Sequence, residues 1–351
     1  MLRERIPTIV LVNSPQNSKD KTLQKIDLLQ DPIYRGIVRR FDRALRLEDN
    51  GSLAEDLQMA SVVNSVATHT TFMHRLRTQL GQEEDPSLNN KFNCRVTGHS
   101  IGEMASLIEE GVTDIETMAW VLKNRQEITE NPVQSTLRFM VACVGIDMVK
   151  FEKGLGKITE TFGDTVEAVM ANRNTRWQGV LSFRAPLGLE MRAFTQRLGE
   201  VYREFTPPGV ERPPGFVHLR AVKNAFHSYL LKEEELIFQR TIDPEINEQN
   251  FKHPEPGIIY SPMLRRWITT RKDGLHLLRH QLTSEVYFSE GIEDILQVPG
   301  LLLFVTADIK EDVTPKIVGD NVSSRAPVRN INNMASLEAV VEETAELVRA
   351  A

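Results

Sequence analysis

The sequence predicts an α/β fold with a mainly parallel sheet, interrupted by an inserted α+β unit. Three observations predict it. Strand-like and helix-like segments alternate on both flanks of the chain. The middle stretch reads β-α-β-β-α-β between Asn131-Pro132 and residues just past the Pro/Gly-rich loop Thr206–Gly215, the order of a ferredoxin-like split βαβ unit. The 351 residues are 41% apolar and carry a net charge of only −6, which excludes a disordered chain.

The elements follow in order. Thr8-Ile-Val-Leu-Val12, bounded by Pro7 and Asn13-Ser14-Pro15, is a short β-branched run and reads as a buried strand. Leu23 to about Arg46 is helical and charged, with a break at Asp31-Pro32. Leu53 to about Leu80, after Asn50-Gly51-Ser52, suits a buried helix and its successor, with Met59, Val62, Val63, Val66, Phe72, Met73 and Leu76 as apolar positions. Gly81–Asn90 is a polar loop. Phe92–Thr97 alternates like a strand and runs through Gly98-His-Ser-Ile-Gly102 into a helix that Gly111 stops. Asp114 caps the next helix, with Thr117 as a weak substitute for a capping-box acid. In the inserted unit, Leu137–Ile146, Val166–Ala171, Gly179–Phe183 and Phe216–Val222 are strands, and Met148–Thr161 and Leu187–Glu204 are helices. The chain then returns to helix (Ser228–Ile242), strand (Gly257–Tyr260), two helices (Gly274–Leu282 and Val286–Leu296), strand (Leu301–Val305) and a last helix (Leu337–Ala350). The expected domains are 1–133 with 223–351 as the body and 134–222 as the insert.

Composition excludes several functions. The longest apolar runs, near Phe139–Ile146 and Leu301–Val305, are too short for a membrane span. A mildly acidic chain does not hold nucleic acid by bulk charge. Two cysteines, Cys94 and Cys143, build no disulfide scaffold, so a reducing compartment is the expectation. The N-terminus shows no secretory or transit pattern; the mitochondrial matrix and the cytoplasm stay open. No metal constellation or dinucleotide glycine loop appears, so no bound cofactor is expected. His276 and His280 are spaced i,i+4, but no acid or cysteine completes a metal set, and a solvated helix face is the simpler reading.

The segment Gly98-His99-Ser100-Ile101-Gly102-Glu103 carries the chemistry. A G-x-S-x-G sequence between strand and helix is the pattern of a nucleophile elbow. The serine sits on a tight turn, the flanking glycines avoid clashes, and the helix N-terminus offers N–H groups, Ile101 first, to an oxyanion. Ser100 then needs a base. Among eight histidines, His69 and His74 lie in a helix, His253 in a Pro-rich loop, and His99 inside the motif. His227 opens the return from the insert to the body, where a cleft forms, and is the expected base.

These residues resemble the GHSxGE signature of malonyl-CoA:acyl carrier protein transacylases and the acyltransferase domains of fatty-acid and polyketide synthases. The resemblance spans most of the chain in order. It implies an α/β-hydrolase-like body with a ferredoxin-like subdomain. It makes Ser100 the nucleophile, His227, in Ala225-Phe-His-Ser-Tyr-Leu-Leu231, the base, and Arg125 the partner of a malonyl carboxylate. Asn172, Asn174 and Gln178 keep the spacing of the N-x-N-S-P-G-Q segment, and His280-Gln281-Leu282 with Glu285-Val286 resembles QL-x-x-PV. Asn172 and His99 are thereby assigned to substrate binding. Phe226 resembles members that accept malonyl rather than methylmalonyl groups. The sequence departs from the pattern at Ser14-Pro15-Gln16-Asn17-Ser18, where the family has PGQGS; Gln16 remains as an oxyanion residue but both glycines are gone. Thr306-Ala307-Asp308 replaces GPG, a turn whose neighbourhood holds the catalytic histidine in the family, and Ser261-Pro262 replaces Ser-Asn.

The implied activity is transfer of a malonyl group from coenzyme A, a thioester substrate rather than a bound cofactor, to the phosphopantetheine thiol of an acyl carrier protein through an acyl-serine in ping-pong fashion, in fatty acid or polyketide biosynthesis. The alternatives are a non-catalytic homologue serving a larger assembly and an acyl-CoA hydrolase or a transferase of another acyl group. The expected partners are malonyl-CoA and an acidic carrier protein, with no nucleic acid and no membrane, and the protein is either a monomer or a subunit of a larger complex. Candidate docking patches are Arg39, Arg40, Arg43 and Arg46, or Arg265, Arg266, Arg271 and Lys272.

Overall fold

A computed structural model describes residues 6–14, 27–46, 57–82, 92–130, 136–207, 214–220, 222–307 and 313–350. Its strands, in chain order, are β1 (Thr8–Asn13), β2 (Asn93–Gly98), β3 (Thr136–Val144), β4 (Glu167–Thr175), β5 (Gln178–Pro186), β6 (Gly215–His218), β7 (Ile259–Ser261), β8 (Arg266–Trp267), β9 (Leu301–Thr306) and β10 (Val328–Asn330). Residue contacts divide the chain into two units, Met1–Lys123 with Ile246–Leu275 and Glu290–Ala351, and Asn124–Glu245 with His276–Ser289.

The first unit is built on a sheet of order β10-β9-β1-β2-β7-β8. Every neighbouring pair is parallel except β7 with β8. All six residues of β1 are buried, as a strand with neighbours on both edges and helices on its faces requires. The stretch expected to hold two helices forms one, Leu57–Gln79. No glycine or proline interrupts those residues, so nothing ends the helix early. Asp114 caps the helix Ile115–Glu130 by accepting from Thr117 N at 2.6 Å. No described helix is long and apolar enough to cross a membrane.

The second unit carries a sheet of order β4-β5-β3-β6 with every neighbouring pair antiparallel. That is the ferredoxin-like arrangement expected from the β-α-β-β-α-β order. The helix expected over Met148–Thr161 is two, Met148–Lys153 and Gly156–Phe162. Gly154 breaks it, and a Cβ there would meet the Phe205 ring at 2.8 Å. Strand β6 ends at His218 rather than continuing to Val222, because the chain turns there: Arg220 N donates to His218 O at 3.0 Å and Val222 N to Leu219 O at 2.8 Å. The core is aromatic. Phe139 stacks on Phe183, its partner across β3 and β5, at 5.1 Å, and Phe194 meets both edge-on. Tyr202 is buried with its hydroxyl donating to the Gly154 carbonyl at 2.8 Å.

Three elements had no expectation. Strands β8 and β10 are two and three residues long and carry arginines, too short for an alternating pattern. The helix Thr314–Val322 has Pro315 at its start, a signal present in the sequence.

Phe139→Ala removes the ring that touches both Phe183 and Phe194. It is expected to destabilise the second unit by about 3–5 kcal/mol, read as a lower denaturant midpoint by far-UV circular dichroism. A midpoint unchanged from wild type would contradict the core described.

Candidate active site

Strand β2 leads directly into the Ser100 turn, and the helix Gly102–Glu109 leaves it. Ser100 adopts φ 58°, the left-handed region, and is half-buried. A non-glycine residue held there costs roughly 1–2 kcal/mol. The flanking glycines have a steric cause. A Cβ on Gly98 would overlap the Gly102 and Glu103 backbone, and one on Gly102 would lie 2.5 Å from the Asn13 carbonyl oxygen and 2.8 Å from that of Ser14. The N–H groups of Gly102, Glu103 and Met104 donate to the carbonyls of His99, Ser100 and Ile101, each at 3.0 Å. The Ile101 N–H lies outside that set of bonds, at the start of the helix. His99 is 4% exposed, and its backbone N donates to Asn13 O at 3.0 Å.

Glu103 is buried under the turn. It accepts from the Ser261 hydroxyl and from Met263 N at 3.1 Å. Burial pushes its carboxyl up to about 8, and those two bonds offset only part of the effect. Ser261 thus keeps its place although Pro262 follows it. Of the glycine-loop positions, Gln16 and the rest of 15–18 lie outside the described residues, as does Asp308. Thr306 is bound to β10, its hydroxyl donating to Asn330 Oδ1 at 2.9 Å.

In the second unit, the segment 281–286 gathers the other expected residues. Arg125, on the helix Ile115–Glu130, is only 2% exposed. Its Nε donates to Gln281 Oε1 at 2.5 Å, and its guanidinium carbon lies 4.6 Å from the Phe226 ring centroid. Gln281 Nε2 is buried with no hydrogen-bond partner among the described residues. His227, also at φ 58°, donates its backbone N–H to Leu282 O at 2.7 Å. Its Nδ1 lies 3.0 Å from the Ser284 carbonyl oxygen. With an N–H at Nδ1 donating to that carbonyl, Nε2 carries the lone pair a base needs. The carbonyl described at His227 therefore comes from 281–286, where the resemblance pointed to the neighbourhood of Thr306.

Asn172 pairs with Val286 in a single parallel bridge, flanked by Val286 N to Ala171 O at 2.9 Å and Arg173 N to Val286 O at 2.8 Å. Its Oδ1 is buried without a hydrogen-bond partner among the described residues. Arg173 holds Glu285 at 2.7 Å and Glu152 at 2.6 Å. Asn224 Nδ2 ties the chain before His227 to Thr129 O at 3.0 Å, on the helix that carries Arg125. Sequence reasoning placed Gln281 in a motif but gave it no role, and it did not find Ser284.

The remaining candidates sit apart. His280 bonds Glu235 at 3.3 Å, its ring 4.3 Å from that of His276, and no set of three metal-binding side chains exists among the described residues. Arg39 and Arg43 are exposed, whereas Arg40 is paired with Glu116 at 2.8 Å. Arg266 is paired with Asp273 at 2.5 Å, and Lys272 lies 4.0 Å from Glu248.

A parallel α/β body and a ferredoxin-like unit, with a serine on a strained strand-to-helix turn, define an acyltransferase-type fold. Solved structures make the fold particular: it is that of the malonyl-CoA:acyl carrier protein transacylases. An acyl carrier protein S-malonyltransferase from Vibrio cholerae is 20% identical with a TM-score of 0.70, covering 95% of this chain and 99% of its own. A type II polyketide synthase acyl-carrier protein in complex with its malonyl-transacylase matches at 19% identity and TM-score 0.72, covering 96% and 99%. Among curated proteins, "Probable polyketide synthase 27" of Dictyostelium discoideum is 23% identical over 148 residues. That match spans 41% of this chain and 6% of the relative's length. No family model matches the chain.

Glu103 yields a pH prediction. Its folded value of about 8 lies above the ordinary 4.5, so the folded state holds a proton that the unfolded state releases. The associated stability is complete below pH 4.5 and is lost as pH rises through about 8. Glu103→Gln should flatten the fall of the urea midpoint across that window. An equal slope in variant and wild type would refute the assignment.

Proposed function

We propose that the protein transfers a malonyl group from coenzyme A to the phosphopantetheine thiol of an acyl carrier protein. The observation that carries the reading is Ser100 on its left-handed turn between two constrained glycines, in a fold matched over 95% or more of the chain by malonyl transacylases.

In this reading His227 Nε2 takes the proton of Ser100 as Oγ bonds to the thioester carbonyl carbon. The Ile101 N–H, with Gln16, stabilises the oxyanion. As it collapses, the carbon–sulfur bond breaks and coenzyme A leaves with the proton from His227. The carrier thiol then gives its proton to His227, its sulfur bonds to the ester carbon, and Ser100 Oγ leaves reprotonated. Arg125 holds the free malonyl carboxylate, for which a planar and permanently charged fork is suited. Gln281 and the Phe226 ring fix its direction. The ring also crowds an α-methyl group, which favours malonyl over methylmalonyl. Asn172 and His99 line the substrate. The solved complex of a malonyl-transacylase with its carrier protein supports such a protein as partner. Biosynthesis of fatty acids or polyketides is the setting that fits.

Radiolabelled malonyl-CoA tests the proposal. Label should appear on Ser100, disappear in Ser100→Ala and pass to a phosphopantetheinylated carrier. Arg125→Ala should lower malonyl transfer about 10- to 100-fold, the loss of a charge-assisted bond, without a matching loss for acetyl. A folded protein that takes no label points to a non-catalytic binding subunit. Release of free malonate without carrier points to a hydrolase.

A further inference from the structure

We propose that Asn13, Glu109 and His69 are positioning residues for the Ser100 turn. The inference rests on reading Ser100 as the nucleophile. Asn13 is the last residue of β1 and meets the turn at two levels. Its backbone oxygen accepts from His99 N at 3.0 Å and forms the wall that excludes a side chain at Gly102. Its side-chain Nδ2 donates to Ser106 Oγ and to Glu109 Oε2, each at 3.0 Å, further along the helix that leaves the turn. The other oxygen of Glu109 lies 3.0 Å from His69 Nδ1, on the helix Leu57–Gln79. Three elements, the central strand, the helix after Ser100 and the flanking helix, are thereby joined through one carboxyl.

Stability alone does not account for this set. The side chains of His69 and Glu109 are 0% and 4% exposed, and Asn13 is fully buried. Apolar side chains of like volume commonly serve such a place at equal or lower cost. Two atoms of the set, Asn13 Oδ1 and His69 Nε2, are buried with no hydrogen-bond partner among the described residues, which adds to the cost. What the polar set supplies is direction, since each bond fixes an angle that apolar packing leaves open. Asn13 also stands immediately before Ser14–Ser18, the segment that resembles the family's oxyanion loop but lacks both of its glycines. A side-chain network that fixes where β1 ends takes over a task that backbone geometry performs in a glycine turn.

The test reads Ser100 reactivity with a fluorophosphonate, which depends on the turn and not on malonyl recognition, beside the kinetics of malonyl transfer. The double variant His69→Leu/Glu109→Met should melt at or above the wild-type temperature, yet label about 10-fold more slowly, since small misplacements of reacting groups are costly. In transfer, kcat should fall with KM unchanged. Glu109→Gln, which can still accept from Asn13, should restore most of the rate lost in Glu109→Met. If the double variant does not fold, Asn13→Ala is read in its place, with the same slowing expected. Labelling at the wild-type rate in either folded variant overturns the proposal, as does equal labelling of Glu109→Gln and Glu109→Met. A wild-type Ser100 that takes the fluorophosphonate but no malonyl refutes the malonyl reading and leaves this comparison intact. A wild-type Ser100 inert to both reagents overturns the positioning role too.

Discussion

The approach of the Ser100 turn to the end of β1 is the constraint on which the first unit depends. Gly102 sits so close to the Asn13 carbonyl that a single Cβ would lie 2.5 Å from its oxygen. That proximity requires β1 and β2 to run parallel and adjacent, with Asn13 opposite Gly98 in register. It also requires the helix after Ser100 to begin at once. The left-handed φ at Ser100 turns the chain from the strand into the helix within three residues. The hydroxyl is thus held on a turn whose two glycines face backbone, that of Gly102 and Glu103 on one side and of Asn13 and Ser14 on the other.

The second unit depends on a different device, an irregular segment that acts as a common partner. Residues 281–286 supply a side-chain oxygen to Arg125, two carbonyls to His227 and a bridge to Asn172. These residues come from a helix, a loop and a strand far apart in sequence. One segment satisfying all of them couples their positions, so a shift of the segment moves the guanidinium and the imidazole together. Thr283 and His280, which donate to or face Glu235, fasten the same stretch from the other side.

How much of this was legible in the sequence follows from the range of the forces involved. The Ser100 turn was legible because its causes are local: two glycines, a strand before and a helix after. The ferredoxin-like order was legible because three of its strands, β3, β4 and β5, are nine residues long, each with an apolar run. The Arg125–Gln281 bond was not, since 156 positions separate the partners and the motif that marks each says nothing of the other. Asn13, Glu109 and His69 look in sequence like a strand end, an exposed acid and a helical histidine, and only packing makes them one network. The single helix over Leu57–Gln79 was mistaken for two because burial on several faces erases the period that marks helix ends.

Backbone strain marks one candidate residue in each unit, Ser100 and His227. Among the described residues, four that are not glycine have φ in the left-handed region: Ser100, His227, Arg265 and Ser323. Ser323 caps the end of the helix Thr314–Val322, and Arg265 lies in the turn that joins β7 to β8. Both are places where the chain reverses, and their strain has an ordinary cause. Ser100 lies where β2 turns into a helix, its carbonyl accepting from Glu103 N, and His227 is held by its N–H on Leu282 O. Strain that persists because its surroundings over-determine it belongs to residues whose direction matters. Both are residues that the sequence singles out, and each keeps its left-handed φ within its own unit.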